Sequence, residues 1–501
     1  MNTESSSPRC IVALDIGTSS TRALVFDEHG HKVGDAAQRP YDQTTTVDGG
    51  VECDADELFE LTAQCLDEVH PNLANVAAVA TSCFWHSLMC VDSAGRALSP
   101  VYSWADNRSS PWLAPLRSML DEHETHARTG CVFHTSYWPA KLLWLSQTRP
   151  QLFGEDTHWI SFGEYVALKI FGTTKVSYSM ASGTGLFHQN NCDWDDETLR
   201  ALPLRKSHLS ELCDHNQNLG ALSGEWAERW PHLQSAKWFP AIGDGACSNI
   251  GSGGVDDSRI VLNVGTSAAL RVVLENFEGN APRGLWRYRV DKRRSLMGGA
   301  VSNAGNVFAW ARDTFRLPDD AEAQISAMQP DVHGLTVLPF LAGERSPLWN
   351  ADARLVIEGA SLDTSPVTIL RACLEAASLR FAEVARSVRA AMKTNNCDPD
   401  VEIVASGGAL ERSACWTQIV ADCLGTPLVE SRESEASARG AALLALEACG
   451  IIDDIRDLPA ERGGEVQPNS EHHEVYVEAL ERQNALYDQL FATSLSARKR
   501  V

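Results

Sequence analysis

An apolar strand, a Gly-Thr-Ser turn and a second apolar strand occur twice in this chain, half its length apart. In the first copy, Ile11 to Leu14 lead into Asp15, Gly17, Thr18, Ser19 and Ser20, and Thr21 to Asp27 follow. In the second, Ile260 to Leu262 lead into Asn263, Gly265, Thr266 and Ser267, and Ala268 to Leu274 follow. Each copy reads as a β-hairpin. Glycine lets backbone approach an anion closely, and hydroxyls with turn N–H groups can bond phosphate oxygens. One such hairpin is an ordinary turn. Two, one in each half, imply a duplicated fold that grips a single polyphosphate from both sides.

With 501 residues the chain has room for two large domains or three smaller ones, each with its own core. Acidic side chains outnumber basic ones, 66 to 43, for a formal charge of −23. That balance disfavours non-specific binding to nucleic acid or to an anionic membrane, and an anionic substrate would need local basic groups. The fourteen cysteines are scattered singly with no C-x-x-C pair, which argues against a zinc ribbon or a dithiol redox motif. No apolar run is long enough for a membrane span, and no signal peptide is evident, so a cytoplasmic location with reduced thiols is expected.

Strand–helix alternation in both halves predicts an α/β protein. A first domain is expected over 9–254, after a short Ser-rich tail, and a second over 255–455. A helical extension is expected over 456–501. Helical spacing of Leu58, Leu61, Cys65 and Val69 predicts a helix near 54–68, and Val76 to Thr81 read as a buried strand ending near His86. Phe239 to Ile242 read as a strand, the Gly243-Asp244-Gly245 turn follows, and a helix is expected from about Ala246. Ser365 and Pro366 are N-cap and first-turn signals for a long helix. Further helices are expected over 307–315, 412–424 and 474–491, and a strand over 401–405.

Neither a P-loop lysine motif nor protein-kinase signatures are present, so any nucleotide must be held by the paired hairpins. Asp244 sits at a strand end beside a helix start, where ligands gather in open α/β sheets. It reads either as a general base for a substrate hydroxyl or as a turn-filling cap. Gly407 and Gly408 fit a pocket for a flat adenosine, or equally a turn that needs positive φ. Gly298, Gly299 and the 302–305 segment open another helix whose N–H groups could meet phosphate. Trp85, His86, Trp104, Asp106, Asn107 and Arg108 supply aromatic planes and hydrogen-bonding groups for a sugar, with Arg108 and His86 able to neutralise a carboxylate. The alternative places both tryptophans in the core and makes Asp106-Asn107 a turn.

Taken in order, Asp15 to Arg22, Trp104-Ala105-Asp106-Asn107-Arg108, Arg128-Thr129-Gly130, Gly243-Asp244-Gly245, Asn263 to Thr266, Gly298-Gly299, Leu338 to Asn350 and Ser406 to Ala409 resemble the FGGY family of carbohydrate kinases. Within that family they are most similar to the gluconokinases. The likeness runs from Ile11 to about Gly450. It implies two actin-like (ribonuclease-H-like) domains with a catalytic cleft between them, ATP and Mg²⁺ as cofactors, and a sugar acid as substrate. It further implies Asp244 as catalytic base and Asp15 as the residue assisting Mg²⁺. Thr18, Ser19, Ser20 and Arg22 would face the transferring phosphoryl group, with Gly265 and Thr266 on the other side of the nucleotide. Gly305, Gly408 and Arg412 would line its adenosine end, and His86, Trp104, Asp106 and Asn107 would hold the sugar acid. Dimers are common among similar kinases, so a homodimer is one assembly the resemblance allows, while the residues themselves leave the oligomeric state open. Two segments depart from the pattern: Trp85 stands where Met usually precedes the histidine, and Ser136-Tyr137-Trp138 differs from the expected gluconokinase segment. Both lie on the substrate side, leaving a ketose or polyol kinase as the alternative. A non-catalytic actin-like sugar sensor is a further alternative, although such sensors usually bring a DNA-binding helix-turn-helix and none is expected in the tail before Cys10.

Overall fold

The computed structural model describes residues 9–69 and 75–498; the Ser-rich tail lies outside them. Both hairpins sit at the centre of a sheet. The first sheet runs Lys32–Pro40, Ser20–Asp27, Cys10–Ile16, Val76–Cys83 and Lys237–Trp238, with Ile242–Gly243 also paired to Val76–Cys83. Its first three strands are antiparallel and the rest join in parallel. The second sheet repeats this order with Arg294–Val301, Ala268–Glu275, Arg259–Val264, Glu402–Ser406 and Leu428–Ser431. Trp286–Arg289 and Arg462–Val466 extend its two edges. Two sheets of one topology are what the repeated hairpin signature requires.

Every residue of Cys10–Ile16 is buried, as expected of a central strand covered on both faces. The helix Ala55–Glu68 covers one face, its N-terminus capped by the Asp54 carboxylate on the Glu57 N–H. The long helix Pro366–Thr394 is capped by Ser365 on Thr368, with Pro366 at the first position, and spans the second core. Among the described residues no helix is long and apolar enough to cross a membrane.

Several expected boundaries shift for local reasons. The expected 239–242 strand is broken, because Phe239, Pro240 and Ala241 lie opposite only Ala80 and Thr81. Three residues facing two make a bulge, and Pro240 has no N–H for the ladder. Asp244 is itself the first residue of the helix Asp244–Gly251, two residues earlier than expected, where a carboxylate suits the positive end of the helix dipole. The expected 412–424 helix splits into Gly408–Glu411 and Ala414–Leu424, because Ser413 caps the second piece through Trp416 N–H. The 456–501 region is not helical throughout: Arg462–Val466 adds a strand before Ser470–Arg498.

The helix Ala436–Ala448 falls in the second half by sequence, yet Leu443, Leu444 and Leu446 are buried in the core of the first sheet. It lies directly on Asp244–Gly251. A Cβ at Gly251 would collide with the Ala436 carbonyl, and one at Gly440 with the Cys247 carbonyl. Two helices this close need glycine at both crossing points. Gly440→Val therefore forces backbone apart and is expected to cost at least about 1–3 kcal/mol. A thermal melt unchanged from wild type would contradict this reading of the crossing.

Candidate active site

One cavity of about 260 Å³ opens between the two halves. Thr18 of the first turn and Ser267 of the second both line it, as do Asp244 and Asn263. Each turn is closed by its glycine N–H, Gly17 donating to the Ser20 carbonyl at 3.0 Å and Gly265 to the Ser267 carbonyl at 2.9 Å, with the second loop one residue shorter. The twinned hairpins therefore face one space.

Asp244 is positioned by glycine on both sides. The indole of Trp85 lies against the Gly243-Asp244-Gly245 backbone, so that a Cβ at Gly243 would overlap the ring and one at Gly245 would come within 2.7 Å of it. Trp85 is fixed in turn by its indole N–H, which donates to the Ser179 carbonyl at 3.0 Å. The Gly-Asp-Gly spelling is thus a packing requirement as well as a turn signal. Asp244 Oδ1 accepts the Gly245 N–H at 2.8 Å. Burial pushes the carboxyl pKa up to about 6; the Arg271 guanidinium opposes this rise and the Asp15 carboxylate adds to it.

Asp15 lies buried below the first turn, accepting from Arg22 Nη2 at 2.5 Å and from the Ser82 hydroxyl at 3.0 Å. Arg22 also pairs with Glu435 at 2.6 Å, so its guanidinium is occupied from two sides. Ser19 and Ser20 carbonyls are engaged within the turn region by Tyr41 and Gly17 N–H groups. On the second half the structure brings Gly265, Gly305 and the 406–408 segment together. Gly305 N–H donates to the Gly265 carbonyl and Asn306 N–H to the Thr266 carbonyl, at 3.0 and 3.1 Å. Those helix N–H groups, expected to meet phosphate, are therefore spent on the hairpin. Gly407 has φ of 105° and approaches Val264 too closely for a side chain, while the exposed Arg412 folds over Gly408.

On the sugar side His86 and Trp104 line the cavity. His86 sits at φ 67°, an uncommon conformation for a non-glycine residue, and its Nδ1 meets the Gly183 carbonyl at 2.5 Å. Burial lowers its pKa to about 3, so the ring is neutral and Nε2 is its acceptor. Asp106 and Asn107 do not reach the cavity wall. Asp106 is fully buried, accepts the Val51 N–H at 3.2 Å and pairs with Arg108 at 2.5 Å; Asn107 Oδ1 accepts from the Thr135 hydroxyl. Arg108 is also bound to Glu52. The two groups expected to neutralise a carboxylate are thus unsuited to it: Arg108 is already paired, and His86 is uncharged.

Two arginines from the second half occupy that role's place in the cavity. Arg271 and Arg345 both line it, and sequence reasoning missed them. Arg271 Nε and Nη1 are buried without a hydrogen-bond partner. Arg271 interrupts an otherwise apolar strand, Ala268–Glu275, and that was the available signal. Tyr137 and Tyr288, joined by a 2.6 Å hydroxyl contact across the halves, complete the aromatic wall with Trp85.

Residues 10–251 match the N-terminal domain, and 260–449 the C-terminal domain, of the FGGY family of carbohydrate kinases. The chain belongs to the FGGY family and has its two-domain, actin-like kinase fold. The gluconokinase of Bacillus subtilis (strain 168) is 29% identical over 462 residues, covering 88% of each chain. The xylulose kinase of the same organism is 23% identical, covering 89% of this chain and 90% of its own. Gluconate kinase from Lactobacillus acidophilus superimposes with a TM-score of 0.88 at 26% identity, covering 97% of this chain and 98% of its own. Ligand-bound xylulose kinase from that organism gives 0.89 at 26%, with coverage of 97% and 99%. A carbohydrate kinase is therefore the class, with the sugar left to the pocket.

A general base must be ionised, so with Asp244 in the role expected of it kcat/KM should fall about tenfold per pH unit below a midpoint near 6. Arg271 lowers that midpoint, so Arg271→Gln should move the acid limb to higher pH. A pH–rate profile with an unmoved limb would remove Arg271 from this role.

Proposed function

We propose that the protein transfers the γ-phosphoryl group of ATP to the terminal hydroxyl of a sugar acid, converting D-gluconate to 6-phosphogluconate. The observation that carries this is the shared cavity: Asp244, raised to about 6, faces the space lined by both Gly-Thr-Ser turns. Asp244 would take the proton of the attacking hydroxyl through the carboxylate, with Oδ1 steadied by the Gly245 N–H. Thr18 and Ser267 are placed to bond phosphate oxygens from opposite walls, and Arg271 beside Asp244 to offset negative charge at the reacting end. Gly265, Gly305 and Gly408 would leave room for the rest of the nucleotide, and His86 Nε2 would accept from a sugar hydroxyl.

The residues fit a divalent cation: Asp15 lies close enough to raise the Asp244 pKa, and two neighbouring carboxylates offer the oxygen donors that Mg²⁺ takes. Asp15 would hold the ion with the nucleotide phosphates; when bound, it neutralises phosphate charge. The gluconokinases among the relatives, and arginines without carboxylate partners in a chain of charge −23, support an acidic sugar. The equal likeness to a xylulose kinase structure keeps a ketose as the second reading.

A coupled ADP-release assay across aldonates, ketoses and polyols tests the substrate. Gluconate should give the highest kcat/KM. Asp244→Asn should retain ATP binding while kcat falls by roughly two to four orders of magnitude, the range of a lost general base. Near-normal turnover in that variant would exclude Asp244 as the base.

A further inference from the structure

The cavity wall carries a half-buried positive charge that has no ion-pair partner among the described residues. Arg345 lies on the 341–350 loop, lining the same space as Trp104, Tyr137 and Tyr288. Its Nε donates to the Ser302 hydroxyl at 3.1 Å, and its guanidinium carbon stands 5.9 Å from the centre of the Trp104 ring. Among the described residues it forms no ion pair, and the groups that favour its charge are the Tyr137 and Tyr288 hydroxyls alone. The neighbouring Glu344 is turned away, facing Arg380 instead. Lys141 also lies at this end, donating to the Thr135 and Ser136 carbonyls, but burial pushes its pKa down to about 7, so its amine is only partly charged at neutral pH. The nearby rings of His86 and His134 are held neutral by burial.

The position of this charge along the cavity is also defined. Arg271 lies beside the Asp244 turn, its Nη2 3.4 Å from where a Cβ on Gly245 would stand, whereas Arg345 lies over Trp104. A guanidinium facing a cavity without an anion is open to one, and a ligand carboxylate is its natural complement, since the planar fork can bond both oxygens.

We propose that Arg345 is the specificity-determining residue of the pocket: it binds the carboxylate of an extended sugar acid whose terminal hydroxyl lies at Asp244. This rests on the sugar-acid reading above. Ser302 and Trp104 fix the guanidinium, so an acid is selected over the matching polyol by an anion placed at the far end from the chemistry.

The test compares D-gluconate with D-glucitol, which replaces the carboxylate by a neutral CH₂OH, in wild type, Arg345→Gln and Arg345→Lys. In Arg345→Gln, kcat/KM for gluconate should fall roughly a hundredfold, the worth of two hydrogen bonds to a charged group, mostly through KM. Activity on glucitol should stay within about threefold. Arg345→Lys should recover part of the gluconate loss, because it keeps the charge without the fork. Equal losses on both substrates, in the Gln variant or in the Lys variant if only that one folds, overturn the role of Arg345 and leave gluconate phosphorylation standing. A wild type that ignores gluconate but phosphorylates another aldonate or a uronate, with the same Arg345 dependence, retires gluconate and supports Arg345. A wild type that accepts only neutral ketoses or polyols overturns both.

Discussion

The helix that begins at Asp244 is held on two sides by contacts that tolerate no side chain. Trp85 lies against Gly243 and Gly245 at its start, and the helix Ala436–Ala448 crosses it through Gly251 and Gly440. These contacts leave the carboxylate little freedom to wander. They also join chain segments from residue 85 to residue 440 around one acid, so the geometry of the cleft is tied to the cohesion of the first core. Close-packed interiors do not deform gradually, and an acid set in such a frame is pre-organised for its task.

Charge is distributed against the global trend. The chain carries −23 overall, yet the cavity contains two arginines with no carboxylate partner besides the nearby Asp244. Other arginines are paired with carboxylates, as Arg108 with Asp106 and Glu52, Arg22 with Asp15 and Glu435, and Arg294 with Asp291 and Glu447, or bond backbone carbonyls, as Arg287 and Arg289 do. Among the described residues Arg271 and Arg345 have neither arrangement, and they give an acidic protein a local, weakly screened attraction for an anion.

The halves meet through specific polar links as well as the cleft. Strand Trp286–Arg289 belongs to the second sheet, but Arg287 N–H donates to the Gly130 carbonyl, and Arg289 N–H to the Ser182 hydroxyl. The His126 ring contacts the Leu285 carbonyl at 2.7 Å. This strand also carries Tyr288 into the aromatic wall, so the substrate end is built jointly by both halves. Closure that excludes water would move surfaces already coupled there.

Both hairpins, the central strands and the Ser365-Pro366 helix start were legible because periodicity, turn chemistry and caps act over a few residues. So were Asp244, Thr18, His86 and Trp104 as members of the cavity wall, through ordered motifs. Asp106 and Asn107 sit in an equally recognisable motif, yet Asp106 is buried against Arg108 and the exposed Asn107 is bonded by Thr135 outside the cavity lining, since sequence does not say which way a side chain faces. Arg271 and Arg345 carried no local mark of being unpartnered. That property belongs to everything around a group, and it exists only once chain segments hundreds of residues apart are brought together. The sequence by itself determined a duplicated α/β framework with a phosphate-facing turn in each half. Only the tertiary structure decided which charges are neutralised internally and which remain for a substrate, because burial and pairing are set by long-range contacts.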